Sequence, residues 1–394
     1  MIERHYRSWH HRSMAVLTTI LAACAGEPSD APAARGLPGA PVAIEAAPRL
    51  SVGVLQGDPM QELDRVVTPF LTPNGDLAVP TQGARTIRLF GPDREFIASY
   101  GGPGQGPGEF AYLRAAWARG DTIEAWDNGL QRMTRFLPGD SVQTIRLAGV
   151  PADNGLGVIG EGWALTAIGP ITFGARDPMS VHTVSNGGAL VARLADAPGM
   201  ARYRWDGPNG LPGGSGPHPL TPTAIFAVHG DEIYAAESLT PTITVYDARG
   251  LRVRDIALPL EPPGPPATVL SAVIDSAVGR ADADQRVSTG QRLSAFPEPE
   301  LLSVLWDFIV DELGFLWVRP YDPFMHSLEL GGRPGGFGGA GGRWLVLSAD
   351  GAEVGWIDVP EGLEPAQITA DDLVGIHRDE LGVESVRVHG LSRR

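Results

Sequence analysis

Residues 242–253 read TITVYDARGLRV, a run of β-branched and aromatic residues that ends in an Asp-Ala-Arg-Gly turn and resumes directly afterwards. This pattern is typical of a tight β-hairpin. It recurs without gaps as TIRLFGPDREFI at 86–97, MTRFLPGDSV at 133–142 and RWLVLSADGAEV at 343–354. The chain is therefore a series of repeated hairpins, and the repeat decides its fold.

Each of these hairpins follows another hairpin with a Gly-Asp or similar turn, as in LTPNGDLAV at 71–79 and FAVHGDEIYA at 226–235. The repeating unit is then four antiparallel strands. Its first turns fall near six positions, Gly75, Gly120, Gly162, Gly230, Gly314 and Asp371. We therefore predict an all-β fold, a six-bladed β-propeller of four-stranded antiparallel blades over residues 48–391.

Two of the six units are less regular than the others. In the third unit we expect the outer strands at residues 181–184 and 190–194. The last unit, from about Gln367 to Leu391, has three strands and lacks a fourth. The segment LSVGVL at 50–55 precedes the first unit without a predicted partner, so we expect it to pair with residues 384–388 and close the ring.

The first 23 residues have the pattern of an export signal, with basic residues, a short apolar run and then small residues. Leu21-Ala-Ala-Cys24 is similar to the lipobox of bacterial lipoproteins, which implies that Cys24, the one cysteine of the chain, carries a lipid. The alternative is an ordinary secretory signal cleaved near Ala25. Residues 24–47 are rich in Ala, Pro and Gly and predict a flexible tether. We expect an exported cell-envelope protein, lipid-anchored to a membrane that faces the periplasm or the cell surface.

The net charge of the chain restricts the classes of partner that it can bind. The formal net charge is −15 at pH 7, which makes nucleic acid a poor partner and leaves membrane attachment to a covalent anchor. We expect a monomer that contacts the membrane through the lipid on Cys24 and binds a peptide, glycan or protein.

The stretch GGPGQGPGEF at 101–110 resembles the Gly-x-Gly-x-Gly-Pro-Gly-Glu-Phe signature of a bacterial family of six-bladed propellers related to NHL repeats. Many members of that family are lipoproteins or exported proteins. The resemblance extends over roughly residues 48–391. It implies the fold and export, and it implies no catalytic residues.

The predicted connections fall into two classes by length. The turns that close the hairpins have two to five residues, whereas the opposite ends of the strands carry long segments at 101–110, 169–180, 197–221, 259–302 and 321–342. Long loops on a rigid scaffold are where binding residues usually gather. Within the 259–302 insertion, apolar residues at helical spacing predict a short amphipathic helix over this face: Val269, Leu270, Val273, Ile274, Ala277 and Val278.

The second strand of each blade should end at this loop-bearing face, close to the predicted axis. This selects candidate ligand-binding residues of mixed charge: Trp126, Asp127, Asn128, Glu237, Arg319, Tyr321, Asp322 and Arg378. Such a ring suits a sugar, a peptide or a small acid. No cofactor is predicted; the alternative is a calcium or other divalent ion held by Asp127, Glu237 and Asp322.

Two functions are consistent with these features. The first is a non-catalytic module that binds a ligand or protein through the loop-bearing face, and we favour it over an enzyme. The second is a metal-dependent hydrolase or lyase, of the lactonase or amidating-lyase kind, with a divalent ion in the central channel.

Overall fold

The computed structural model describes residues 42–194, 196–206, 213–218, 220, 222–326, 341–379 and 382–393, which belong to one compact unit, Gly39–Arg394. The predicted export signal, Cys24 and the tether up to residue 41 lie outside the described residues. The described residues form mainly β-strands, which are arranged in six antiparallel sheets.

The sheets follow one another along the chain. Before them come β1 (Val42–Ile44) and β2 (Leu50–Val52). Sheet 1 contains β3 (Phe70–Leu71), β4 (Leu77–Thr81), β5 (Thr86–Phe90) and β6 (Phe96–Gly101). Sheet 2 contains β7 (Leu113–Arg119), β8 (Thr122–Asp127), β9 (Arg132–Leu137) and β10 (Ser141–Arg146). Sheet 3 contains β11 (Asn154–Ile159), β12 (Gly162–Ile168), β13 (Arg176–Val184), β14 (Leu190–Arg193), β15 (Ala197–Trp205) and β16 (Gly214–Pro217).

The remaining sheets have the same up-and-down order. Sheet 4 contains β17 (Ala224–His229), β18 (Glu232–Glu237), β19 (Thr242–Asp247) and β20 (Arg252–Ala257). The helices α1 (Pro266–Arg280) and α2 (Arg286–Ser294) then precede sheet 5, which contains β21 (Leu305–Val310), β22 (Leu316–Pro320), β23 (Gly342–Leu347) and β24 (Glu353–Val359). The short helix α3 (Pro323–His326) follows β22. Sheet 6 contains β25 (Leu363–Ile368), β26 (Asp372–Arg378), β27 (Glu384–Arg393) and the two N-terminal strands.

Alternation of apolar and polar residues explains why these segments are strands. In β19, Ile243 and Val245 are fully buried, whereas Thr242 and Thr244, which alternate with them, keep contact with solvent. Side chains of a strand alternate between the two faces of its sheet, so each face can supply a core.

The cores lie between successive sheets. One apolar cluster joins sheets 1 and 2, and equivalent clusters join 2 to 3, 3 to 4, 4 to 5 and 5 to 6. A sixth cluster joins sheet 6 back to sheet 1, with Val52 and Val386 on one side and Leu77 and Phe90 on the other. The first strands also contact one another in cyclic order, from β3 through β7, β11, β17, β21 and β25 back to β3. The six sheets are therefore packed face to face in a closed cycle.

The predicted closing strand is confirmed. Leu50 lies opposite Val388 and Val52 opposite Val386, in antiparallel register. The tether is shorter than expected, because Val42–Ile44 also pair with β27, opposite Arg393 to Leu391. The last strand is long enough for both N-terminal segments, which the composition of residues 24–47 did not indicate.

Sheet 3 differs from the expectation. Its third strand begins at Arg176, five residues earlier than the strand expected at 181–184, since Arg176 to Met179 pair with β15 while His182 to Val184 pair with β14. Part of the predicted loop at 197–221 is therefore a β-hairpin, β15 and β16. This hairpin packs against the helices through Tyr203, Trp205 and Phe296.

The predicted amphipathic helix is confirmed as α1. Pro266 occupies one of its first two positions, where proline is well tolerated. Its buried face contains Val269, Leu270, Val273 and Ala277. Among the helices of the described residues, none has the length and apolar character needed to cross a bilayer.

Candidate functional site

Two of the predicted ligand-binding residues are structural. Trp126 is fully buried and belongs to the core between sheets 2 and 3. Asp127 is also fully buried, and its carboxylate accepts hydrogen bonds from the backbone N–H groups of Ala111 (2.9 Å), Tyr112 (3.0 Å) and Leu130 (3.1 Å). The hydrogen bonds of Asp127 stabilise the loops beside β8. Because both side chains are fully buried, neither is exposed to a ligand.

Two further predicted residues join neighbouring sheets. The side-chain amide of Asn128 donates to the carbonyl oxygens of Ala152 (3.1 Å) and Asp153 (2.9 Å). Glu237 forms an ion pair with Arg176 of sheet 3. Both contacts hold long connections in place.

The three carboxylates considered for calcium do not form one site. Asp127 is bonded to backbone N–H groups, Glu237 to an arginine, and Asp322 to the N–H of Phe324 at 2.8 Å at the start of α3. Within the described ranges, no three His, Cys, Asp or Glu side chains lie together in a way that could hold a metal ion.

The structure does gather charged side chains on neighbouring strands of sheets 5 and 6. We call this group the charge cluster; its members are Asp307, Arg319, Glu364, Arg378 and Glu384. Nη1 of Arg319 lies 3.1 Å from Oε2 of Glu364, and Nη2 donates to the carbonyl oxygen of Gly341 at 3.0 Å. Arg378 forms an ion pair with Glu384. The charges of Arg319 and Arg378 both act on Glu364, so two of the eight predicted ligand-binding residues belong to one site.

The first strands position two of the three acidic members of the charge cluster, Asp307 and Glu364. Asp307 lies on β21 directly opposite Arg319 of β22, just after an irregularity in strand register at Trp306. Glu364 is the second residue of β25, on the adjoining sheet. Our selection considered only the ends of second strands and missed both acids. An acidic residue near the start of two successive first strands was the signal available in the sequence.

The carboxyl of Asp307 has an unusual environment. It is closely surrounded, although part of its surface still contacts solvent. Burial raises the pKa of Asp307 to about 7, and the charge of Glu364 adds to this effect, while the N–H of Phe308 and the charge of Arg319 oppose it. Burial also raises the pKa of Glu364, against the opposing effect of Arg319. At neutral pH the site therefore contains a carboxyl that can gain or lose a proton.

Three aromatic rings lie beside the charge cluster, and we call them the aromatic triad: Trp306, Tyr321 and His326. The rings of Trp306 and His326 are stacked, with centroids 4.7 Å apart and planes 8° from parallel. The Tyr321 ring lies 5.9 Å from His326 and 6.1 Å from Trp306. Tyr321, the third predicted residue to lie here, is 6% exposed and His326 is 2% exposed. The triad adds an apolar wall to a charged site.

Two polar atoms of the triad have no hydrogen-bond partner in the part of the chain that the structure describes, the hydroxyl of Tyr321 and Nε2 of His326. An unsatisfied buried polar group costs about 1–3 kcal/mol. Burial and the nearby charge of Arg319 lower the pKa of His326 to about 2, so its ring is neutral. Burial raises the pKa of Tyr321, which therefore keeps its hydroxyl proton.

The helix α1 covers the triad. Val269, Leu270 and Val273 form an apolar cluster with Tyr321, and Trp306 packs against this cluster. Trp306 and Glu364 nevertheless keep part of their surface exposed. The helix α1, in the insertion between sheets 4 and 5, thus covers part of the site, and the rest of the site is open to solvent.

Comparison with known proteins gives structural likeness at low sequence identity. No protein family model and no curated protein matches the chain. Among solved structures, a member of the DUF4221 family from Bacteroides vulgatus is 10% identical, with a TM-score of 0.47 over 90% of this chain and 99% of that one. A Bacteroides fragilis protein described as exported is 10% identical, with a TM-score of 0.48 over 90% and 95%. Virginiamycin B lyase from Staphylococcus aureus is 8% identical, with a TM-score of 0.41 over 89% and 99%. Likeness at this level assigns neither activity nor ligand.

Proposed function

We propose that this chain is an exported six-bladed β-propeller, anchored by a lipid on Cys24, that binds a polar ligand where sheets 5 and 6 meet. The cyclic order of first-strand contacts and the six cores between successive sheets support six blades. The signal pattern and the lipobox-like residues before Cys24 support export and lipidation.

One observation carries the binding function. The charge cluster brings three acids and two arginines together at the ends of the strands that carry the long connections, and Asp307 has a pKa near neutrality. Partly buried charges are costly, and a shifted carboxyl beside specific charge partners is a feature of functional sites. The site offers both hydrogen-bond donors and acceptors to a ligand, as binding sites for polar molecules do.

A single substitution tests this proposal. Glu364→Gln keeps the shape of the side chain but removes the charge that pairs with Arg319. Wild-type and variant mature protein are screened by thermal shift against neutral and acidic saccharides and short peptides, and affinities are measured by calorimetry. We expect at least one ligand whose affinity falls roughly tenfold or more in Glu364→Gln.

The matched control is Glu232→Gln. Glu232 forms the same kind of partly buried ion pair, with Arg254, but at the opposite end of the strands. This variant should lose stability and keep wild-type affinity. Equal affinity in Glu364→Gln and wild type for every ligand would refute the assigned site.

Metal analysis addresses the enzyme alternative. The purified mature protein is assayed for bound divalent ions, and the binding function predicts no stoichiometric metal. One tightly held ion, with loss of function on chelation, would instead support the metal-dependent hydrolase or lyase.

A further inference from the structure

The tautomer of His326 identifies a free hydrogen-bond donor. Nδ1 of His326 accepts a hydrogen bond from the backbone N–H of Asp322 at 2.9 Å, so in the neutral ring the proton is on Nε2. Among the described residues that N–H has no acceptor, although the side chain is 2% exposed. His326 therefore presents one unsatisfied donor on the face of the molecule that carries the charge cluster.

Tyr321 presents a second one. Its hydroxyl is buried, has no partner among the described residues and keeps its proton. The two rings are in contact, with centroids 5.9 Å apart, so both unsatisfied groups belong to the aromatic triad beside the charge cluster. Other buried polar atoms of the described residues also lack partners, but these two are on contacting rings beside a charged site, and their position points to ligand atoms as their acceptors.

The charged side chains of the cluster and the indole of Trp306 indicate what kind of ligand would supply the acceptor. The donors of the triad are neutral, and Arg319 and Arg378 are already paired with Glu364 and Glu384. The ionised form of Asp307 therefore gives the charge cluster a net negative charge that would repel a carboxylate. The carboxylates, in turn, accept hydrogen bonds from a ligand. A hydroxyl group both donates and accepts, so several hydroxyls on one body match donors and acceptors together. The partly exposed indole of Trp306 offers an apolar surface to such a body.

From these contacts we infer that the ligand is an uncharged, polyhydroxylated ring compound, a neutral saccharide, whose oxygens accept hydrogen bonds from Tyr321 and His326. The inference rests on the proposed binding function and narrows its ligand class. Because Val269, Leu270 and Val273 pack over Tyr321, α1 shifts when the saccharide reaches the hydroxyl.

The experiment compares Tyr321→Phe with wild type. The probes are glucose, galactose, N-acetylglucosamine and their disaccharides, beside glucuronate and galacturonate, measured by saturation-transfer NMR and calorimetry. We expect a neutral sugar to bind and the corresponding uronate to bind at least tenfold more weakly. Loss of one neutral hydrogen bond should weaken the neutral sugar roughly three- to tenfold in Tyr321→Phe. The melting temperature of the free variant should not fall, because the hydroxyl has no partner to lose.

Tyr234→Phe is the matched control. Tyr234 is also buried, but its hydroxyl donates to Glu232 at 2.8 Å and accepts from Arg254 at 3.2 Å. This variant should melt at a lower temperature than wild type and bind the sugar equally well.

Each outcome has a distinct meaning. A charged sugar that binds as tightly as the neutral one, or unchanged affinity in Tyr321→Phe, overturns the inference. If no sugar binds but a peptide does so in a manner that depends on Glu364, the saccharide is wrong and the proposed binding site stands. If no ligand depends on Glu364, both the site and the inference fall.

Discussion

Two buried aspartates of sheet 5 show how the environment of a carboxyl decides its role. Asp311 is fully buried, yet its oxygens accept from the N–H groups of Leu313 and Phe315, from the indole of Trp317 and from Arg393. Asp307 accepts from the N–H of Phe308 at 2.8 Å and lies beside the like charge of Glu364. Four donors therefore surround the carboxylate of Asp311, whereas the environment of Asp307 favours the protonated carboxyl.

Asp307 therefore makes stability depend on pH. Its ordinary pKa of 3.8 is raised to about 7 in the folded protein. Between about pH 4 and pH 7 the folded protein binds a proton that the unfolded chain has released, so stability falls as pH rises through this window. Asp307→Asn does not titrate; we expect it to raise the melting temperature at pH 8 and to change it little at pH 4.

Thermal unfolding of ligand-free protein at both pH values checks this prediction. Asp311→Asn is the control, because loss of its charged hydrogen bond to Arg393 should lower the melting temperature at pH 8. A lower melting temperature of Asp307→Asn at pH 8 would show that the wild-type carboxylate is well stabilised there.

At the level of elements, sheet 6 is completed by two short strands from the N-terminal part of the chain. Both β1 and β2 pair with β27, and Leu50 and Val52 complete the core shared with sheet 1. The chain turns away after β2 at Gly53, which has φ of +125°. A Cβ at Gly53 would lie 2.6 Å from the carbonyl oxygen of Glu384. The closure therefore needs glycine both for its backbone angle and for its close approach to β27.

Gly53→Ala should weaken this closure. Gly57 is a matched control, since its φ is +137° but a Cβ there would meet nothing within 4 Å. Backbone strain alone costs about 1–3 kcal/mol at such angles, and the steric clash should cost Gly53→Ala about 1–3 kcal/mol more. Urea unfolding measures both variants. Equal losses would contradict the close approach of Gly53 to Glu384.

For the whole molecule, the two ends of the strands differ in character. One end carries turns of two to five residues, such as Gly230-Asp231, while the other carries α1, α2 and the long connections. A lipid on Cys24 would attach the molecule ahead of β1, through a segment rich in Ala, Pro and Gly.

Cys24→Ser tests the anchor. A diacylated thiol gives stable membrane attachment. Without the lipid, the net negative charge of the protein would disfavour binding to an anionic bilayer. We expect wild-type protein in the membrane fraction, labelled by radioactive palmitate, and the variant in the unlabelled soluble fraction. Ala25→Ser should behave as wild type. Soluble, unlabelled wild-type protein would support an ordinary secretory signal.

Local patterns predicted much of the architecture. The hairpin repeat located the turns near Gly75, Gly120 and Gly230, and the unpaired run at 50–55 identified the closing strand. These features depend on residues close together in sequence or on a simple count of strands. The additional strands β15 and β16 of sheet 3 were not predicted. The pairing of Arg176 to Met179 with β15 forms only in the folded chain and has no local sequence signal.

The sequence by itself determined the strands, the short turns, the amphipathic face of α1 and an export pattern that ends at Cys24. Tertiary structure decided the site. Arg319 meets Glu364, 45 residues away, because the first strands of two sheets lie side by side, and no local pattern encodes that contact. Tertiary contacts also decide the roles of the two aspartates. Asp127 accepts hydrogen bonds from backbone N–H groups, whereas the raised pKa of Asp307 favours its protonated form. The cost of burying a carboxylate depends on the donors and charges that the folded chain places around it.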